Sequence, residues 1–242
     1  MRIWDVNPGY LNRQSLLGEH RELHGIVSII SNKKSGYSHH PETLRWVGYG
    51  WGLTQRHRLL AAEMALRGYC DRSPVVMSGN DRVWPETYID EPFRQFRILK
   101  TKYRDKEPGR IPVPKNAQQL WSQHKYSVLA RDANLYGRLG REVAGMRSGP
   151  DFADLSRMLA EQLRTSPSFG GLKNALQHMW GHVSEHLPAP KGEVESWSLQ
   201  QLLKEIQQRS LAIEEPYLLA STALSELLAW IPEAEITETT AH

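Results

Sequence analysis

Residues 12–31, NRQSLLGEHRELHGIVSIIS, decide the fold class. Asn12 is a residue type that caps a helix start, and Leu16, Leu23, Val27 and Ile30 recur after it at helical spacing. They form one apolar stripe on a helix ending near Ser31. The same period returns outward from this stretch. Pro41 is a good first helical residue before Glu42, Thr43, Leu44, Arg45 and Trp46. A second long helix is predicted over residues 53–67, with Gly68 as its left-handed terminator. Residues 71–92 hold Pro74, Gly79, Pro85 and Pro92 and read as irregular, and residues 93–103 as a short basic helix carrying Arg94, Arg97, Lys100 and Lys102.

Further along, residues 116–131, 135–144, 151–165, 171–186, 198–213 and 216–230 each have helical periodicity, and Ser198 with Gln201 matches a capping box. Alternating apolar and polar runs are scarce. The predicted fold class is all-α, with two helical domains. Between them, DKEPGRIPVP (residues 105–114) packs three prolines and a glycine into ten positions, which stops a helix and favours a stiff, extended connector. The expected domains are 1–105 and 115–233, the linker 106–114, and a fraying acidic tail 234–242.

The chain of 242 residues has a formal net charge of +3, 24% charged and 40% hydrophobic residues, and a mean hydropathy of −0.54. That suits globular domains with cores of their own. No apolar run reaches 18 residues, so no membrane span is expected. No basic stretch leads into an apolar segment at the start, so a soluble, cytoplasmic protein is expected. The single cysteine, Cys70, excludes an internal disulfide and any multi-cysteine metal cage. Charge is uneven: residues 1–114 hold 18 Lys and Arg against 12 Asp and Glu, while residues 115–242 hold 12 against 15. The basic first half is the better partner for a polyanion.

The opening, MRIWDVNPGYLNRQSLLGEHRELHGIVSII, followed by GYSHHPETLRW and RHRLLAAEMALRGY, resembles the pyrimidine-dimer DNA glycosylases, the phage endonuclease V type and especially its bacterial branch. The resemblance covers about residues 1–105. The second half, through LWSQHKYSVLARDANLYGRLGREVA, GGLKNALQHMWGH and EEPYLLASTALSELLAWIP, is similar to the helical YbgA-like domain of unknown function. That domain also occurs beside thiouracil and thiouridine desulfidases, where an RNA-binding role is thought to apply. The first resemblance implies a DNA repair enzyme acting on damaged double-stranded DNA in the bacterial cytoplasm, associated with the nucleoid. The second leaves open an alternative: modified RNA or abasic sites as target, with or without catalysis.

A glycosylase that also cuts the backbone needs an amine that attacks C1′, expels the base and leaves an iminium, which acidifies the 2′ proton. An α-amine suits this task, with a reference pKa of about 7.7–8.0 against about 10.4 for lysine. In the phage-type family the N-terminal amine is that nucleophile, exposed by removal of the initiator methionine. Here residue 2 is Arg, too bulky for that removal, so Met1 is expected to stay. Counted from Met1, Glu22 stands at the family spacing from the terminus. The resemblance thus implies Met1 as nucleophile and Glu22 as general acid/base. Arg2 and Arg21 are expected to contact phosphates. The phage member carries a histidine and an arginine on this helix where this chain has Ser15 and Gly25, which leaves lesion preference open; His20 and His24 are candidates to compensate. Lys33, Lys34, Tyr37, His39, His40 and Arg45 form a basic, aromatic-bearing segment suited to gripping phosphates and stacking on an unpaired base, or equally a solvated turn.

No metal site and no cofactor are predicted, since imine formation and elimination require neither. His178, His182 and His186 repeat at four-residue steps, but no cysteine completes a set. His124, Lys125, Tyr126, Arg131 and Asp132 suit fold contacts or a nucleic-acid grip better than catalysis.

Overall fold

The computed structural model describes residues 1–78, 82–146, 149, 151–186 and 192–232. The expected acidic tail lies outside the described residues. Among these the chain is helical and contains no strand, an all-α fold. By its contacts it divides into two compact units, one comprising Met1–Val113 with Ser156–Ala160, the other the rest of the described chain from Pro114 onward.

The first unit opens with an extended segment and a 3₁₀ turn, Pro8–Tyr10. Four helices follow: α1 (Arg13–Ser31), α2 (Pro41–Trp46), α3 (Gly50–Leu66) and α4 (Pro92–Lys102). Asn12 caps α1, its side chain accepting the Ser15 N–H. Gly68 adopts φ +78° just beyond α3, a conformation that penalises a Cβ. The buried stripe of α1 is Leu16, Glu19, Leu23 and Ile26, so Ile26 takes the place foreseen for Val27 and a carboxylate sits inside the stripe. α3 packs on α1 and buries Arg56, His57 and Glu63 among its leucines. Residues 71–78 and 82–91 form no helix, and the first of these stretches crosses the start of α3: a Cβ on Gly50 would stand 2.4 Å from the Ser78 carbonyl oxygen. Of the proline-rich segment expected as a linker, residues 106–113 belong to this unit, with Ile111 fully buried and donating its N–H to the Gly9 carbonyl, while Arg110 pairs with Glu63 at 2.7 Å.

The second unit contains α5 (Ala117–Leu129), α6 (Ala133–Gly145), most of α7 (Ala153–Leu163), α8 (Phe169–Ser184), the short α9 (Glu193–Ser196) and α10 (Leu199–Ala212). α5 packs on α6 and α8, and α8 on α10. The capping box at Ser198 and Gln201 forms in both directions. One element differs from expectation. Residues 216–230 are not one helix but α11 (Pro216–Leu219), α12 (Ala223–Glu226) and a 3₁₀ turn, Leu227–Trp230. The break has a tertiary cause: Thr222 turns its N–H (2.8 Å) and its hydroxyl (3.0 Å) to the Gln123 carbonyl on α5. Below the break, Glu226 is fully buried and accepts Arg131 and the Trp230 indole N–H.

Candidate active site and a histidine cluster

Chain termini usually fray, because few contacts repay the entropy of ordering them. The first six residues here are held by side chains from α1, α2, α3 and α4. The Arg2 N–H donates to the Glu22 carboxylate. The Trp4 N–H donates to Glu19 Oε1 at 3.2 Å, and the Asp5 N–H to Gln95 Oε1 at 2.8 Å. Arg56 holds Glu19 through Nε and Nη2 at 2.7 and 2.9 Å and reaches the Val6 carbonyl through Nη1 at 3.0 Å. Burial pushes the Glu19 carboxyl up to about 7, against the pull of Arg56 and the Trp4 N–H.

Of the two glutamates on this part of α1, Glu19 is buried and committed to Arg56, while Glu22 is half-buried and faces the terminus. One peptide unit separates the Arg2 nitrogen from the Met1 α-amine. Covalent geometry therefore holds that amine within about 6 Å of the Glu22 carboxylate. Met1 itself is half-buried.

The other expected site residues fall into different environments. Arg2 pairs with Asp90 and lies 4.4 Å from the Trp4 ring, and burial lowers its pKa. Arg21 is exposed. Lys33, Lys34, Tyr37 and His39 are also exposed, with Tyr37 at 71% and in a left-handed conformation, φ +59°. Lys34 donates to Ser28 Oγ at 2.8 Å. His40 is half-buried and caps α2, its Nδ1 accepting the Glu42 N–H.

Arg45 is buried, bonding Asp5, Glu42 and the carbonyls of Ile3 and Thr87. Those carboxylates raise its pKa. It anchors the N-terminal segment and offers no free edge to a phosphate. Sequence reasoning did not assign the positioning roles of Glu19, Arg56 and Gln95. A charged residue inside an apolar stripe was the available signal for Glu19. Arg94, Arg97, Lys100 and Lys102 on α4 are exposed, and Lys102 Nζ lies 6.0 Å from the Trp4 ring centroid, which adds a basic face beside the terminus.

His20 and His24 turn elsewhere, onto His57 of α3 and Asp71 just beyond it. His20 Nε2 stands 3.2 Å from His57 Nε2 and 3.3 Å from Asp71 Oδ1. Asp71 Oδ2 is 3.5 Å from His57 Nε2. The three rings lie 4.6–5.0 Å apart, centroid to centroid. Burial pulls His57 down to about 4 and also lowers His24.

In the second unit His182 accepts or shares the Tyr126 hydroxyl at 2.6 Å and stacks on Tyr217. Lys125 Nζ caps both tyrosine rings at 4.6 and 4.3 Å. His124 is buried, pulled down to about 4 and bonded to the Leu120 carbonyl, a core histidine.

Residues 1–77 match the family model described as pyrimidine dimer DNA glycosylase. Residues 125–226 match the model described as protein of unknown function (DUF1722). The chain is thus similar to the pyrimidine dimer DNA glycosylases over its first 77 residues and, over residues 125–226, to a family of unknown function. Searches of curated proteins and of solved structures return no match. No helix among the described residues is long and apolar enough to cross a membrane.

Proposed function

We propose that the first unit is a bifunctional glycosylase and abasic-site lyase acting on pyrimidine dimers or related base damage in duplex DNA, with the Met1 α-amine as nucleophile. The observation that carries this reading is the clamped terminus: an ordered N-terminal segment whose second N–H is bonded to Glu22. The neutral amine adds its lone pair to C1′. The C1′–base bond breaks with its electrons on the leaving pyrimidine, which takes up a proton. Loss of the amine proton and opening of the sugar ring give the imine. Glu22 serves the proton transfers, first toward the opening ring oxygen and then from C2′, whose departing proton leaves electrons that expel the 3′ phosphate.

The duplex must be kinked to expose C1′, and the exposed cations Arg21, Lys33 and Lys34, with the basic face of α4, are the candidates to hold its phosphates. Tyr37 and His39 are the exposed rings that could meet an unpaired base. The test is borohydride trapping of untagged protein, with its N-terminal sequence verified, on a thymine-dimer duplex and an abasic duplex. The covalent adduct should map to the Met1 nitrogen and disappear when a Gly-Ser extension precedes Met1. Undiminished trapping by the extended protein would refute the assignment of the nucleophile.

A further inference from the structure

We propose that His20, His24, His57 and Asp71 form a structural zinc site. It rests on geometry alone and is independent of the glycosylase reading. Zinc holds nitrogen at about 2.0–2.1 Å and carboxylate oxygen at about 2.0–2.2 Å, so tetrahedral ligand atoms sit about 3.3–3.4 Å from one another. The separations among His20, His57 and Asp71 are 3.2, 3.3 and 3.5 Å, the Asp71 carboxylate presenting one oxygen to each ring. Ligand atoms of all four residues lie within 4.8 Å of one another. His24 Nε2 is buried and lacks a hydrogen-bond partner, which costs free energy unless something else satisfies the lone pair or the proton.

Three imidazoles and a carboxylate suit a borderline cation such as Zn²⁺ better than the all-oxygen preference of Ca²⁺ or Mg²⁺. Four protein ligands with no vacancy define a structural site rather than a catalytic one. Placement agrees. At 100° per residue His20 and His24 share one face of α1, and Glu22 lies on nearly the opposite face. The ion would staple α1, the helix that carries Glu22, to α3 and to the loop leaving α3.

The test uses full-length protein without a histidine tag. Metal analysis should find close to one zinc per chain. After chelation, titration with Co²⁺ should give the intense visible bands of a four-coordinate ion, and zinc should restore the melting temperature lost on stripping. The half-buried ligands are the ones to vary: His24→Gln and Asp71→Asn, with circular dichroism showing a retained fold, should each weaken Co²⁺ binding by at least about tenfold. Trapping on an abasic duplex should survive stripping under conditions where the protein remains folded. The proposal is overturned if neither zinc nor cobalt binds at equimolar levels, if both variants bind as well as the parent, or if the cobalt spectrum is that of a six-coordinate ion.

Discussion

Replacing Arg56 by Met tests whether the terminus is held as described. The guanidinium makes two hydrogen bonds to Glu19 and one to the Val6 carbonyl, with side-chain exposures of 4% for Arg56 and 0% for Glu19. Removing one partner of a buried ion pair costs about 3–5 kcal/mol, because the other charge is left uncompensated. Leaving the Val6 carbonyl bare adds about 1 kcal/mol or more. A loss of about 4–6 kcal/mol in urea unfolding is therefore expected at pH 8.

The loss depends on pH. Burial already raises the Glu19 carboxyl to about 7, and without Arg56 it moves higher still. A carboxyl whose folded pKa is raised favours the fold fully below its unfolded pKa. It loses that favour as pH rises through the folded value. The variant's deficit should accordingly be smallest and level below about pH 7, where Glu19 is protonated in both folded proteins, and widen as pH rises above it. Hydrogen exchange at the Arg2 and Trp4 amides should accelerate, and borohydride trapping should fall by more than the unfolded fraction explains. A deficit under about 1 kcal/mol, or one that does not change with pH, would refute the clamp.

Glu22→Gln should retain duplex affinity while slowing base release by about 10²–10⁴-fold, measured by single-turnover release from a dimer-containing duplex; an unchanged rate would remove Glu22 from the chemistry. Arg45→Met should lower stability by about 3–5 kcal/mol without altering the salt dependence of DNA binding by the folded fraction. By contrast, Arg97→Ala and Lys102→Ala should leave stability unchanged and each reduce the slope of log affinity against log salt by about 1. In the second unit, Thr222→Val should destabilise by about 1–3 kcal/mol in thermal unfolding, since the buried Ser127 hydroxyl loses its partner at 2.7 Å and the Gln123 carbonyl keeps only the backbone N–H. A neutral result would mean that the break after α11 has another cause.

How much was legible divides along one physical line. Helix starts were local: Asn12, Pro41 and the Ser198–Gln201 box depend on atoms within a few positions of each other, and they form where the sequence puts them. The break within residues 216–230 was not, because its cause is a carbonyl on α5, 99 positions from Thr222. Nor was the fate of Arg45, which as sequence is one more cation in a basic run, until Asp5 and Glu42 close around it.

The candidate sites divide the same way. The identities of Met1, Arg2 and Glu22, and the i, i+4 pairing of His20 with His24, are properties of the chain itself. Helical period and the chemistry of each side chain settle them. That the terminus lies on α1 rather than in solvent, and that His57 and Asp71 arrive beside His20 and His24, follow only from packing α3 against α1. Residues distant in sequence meet there because burying the leucine stripes brings their neighbours along, and no local rule encodes that encounter.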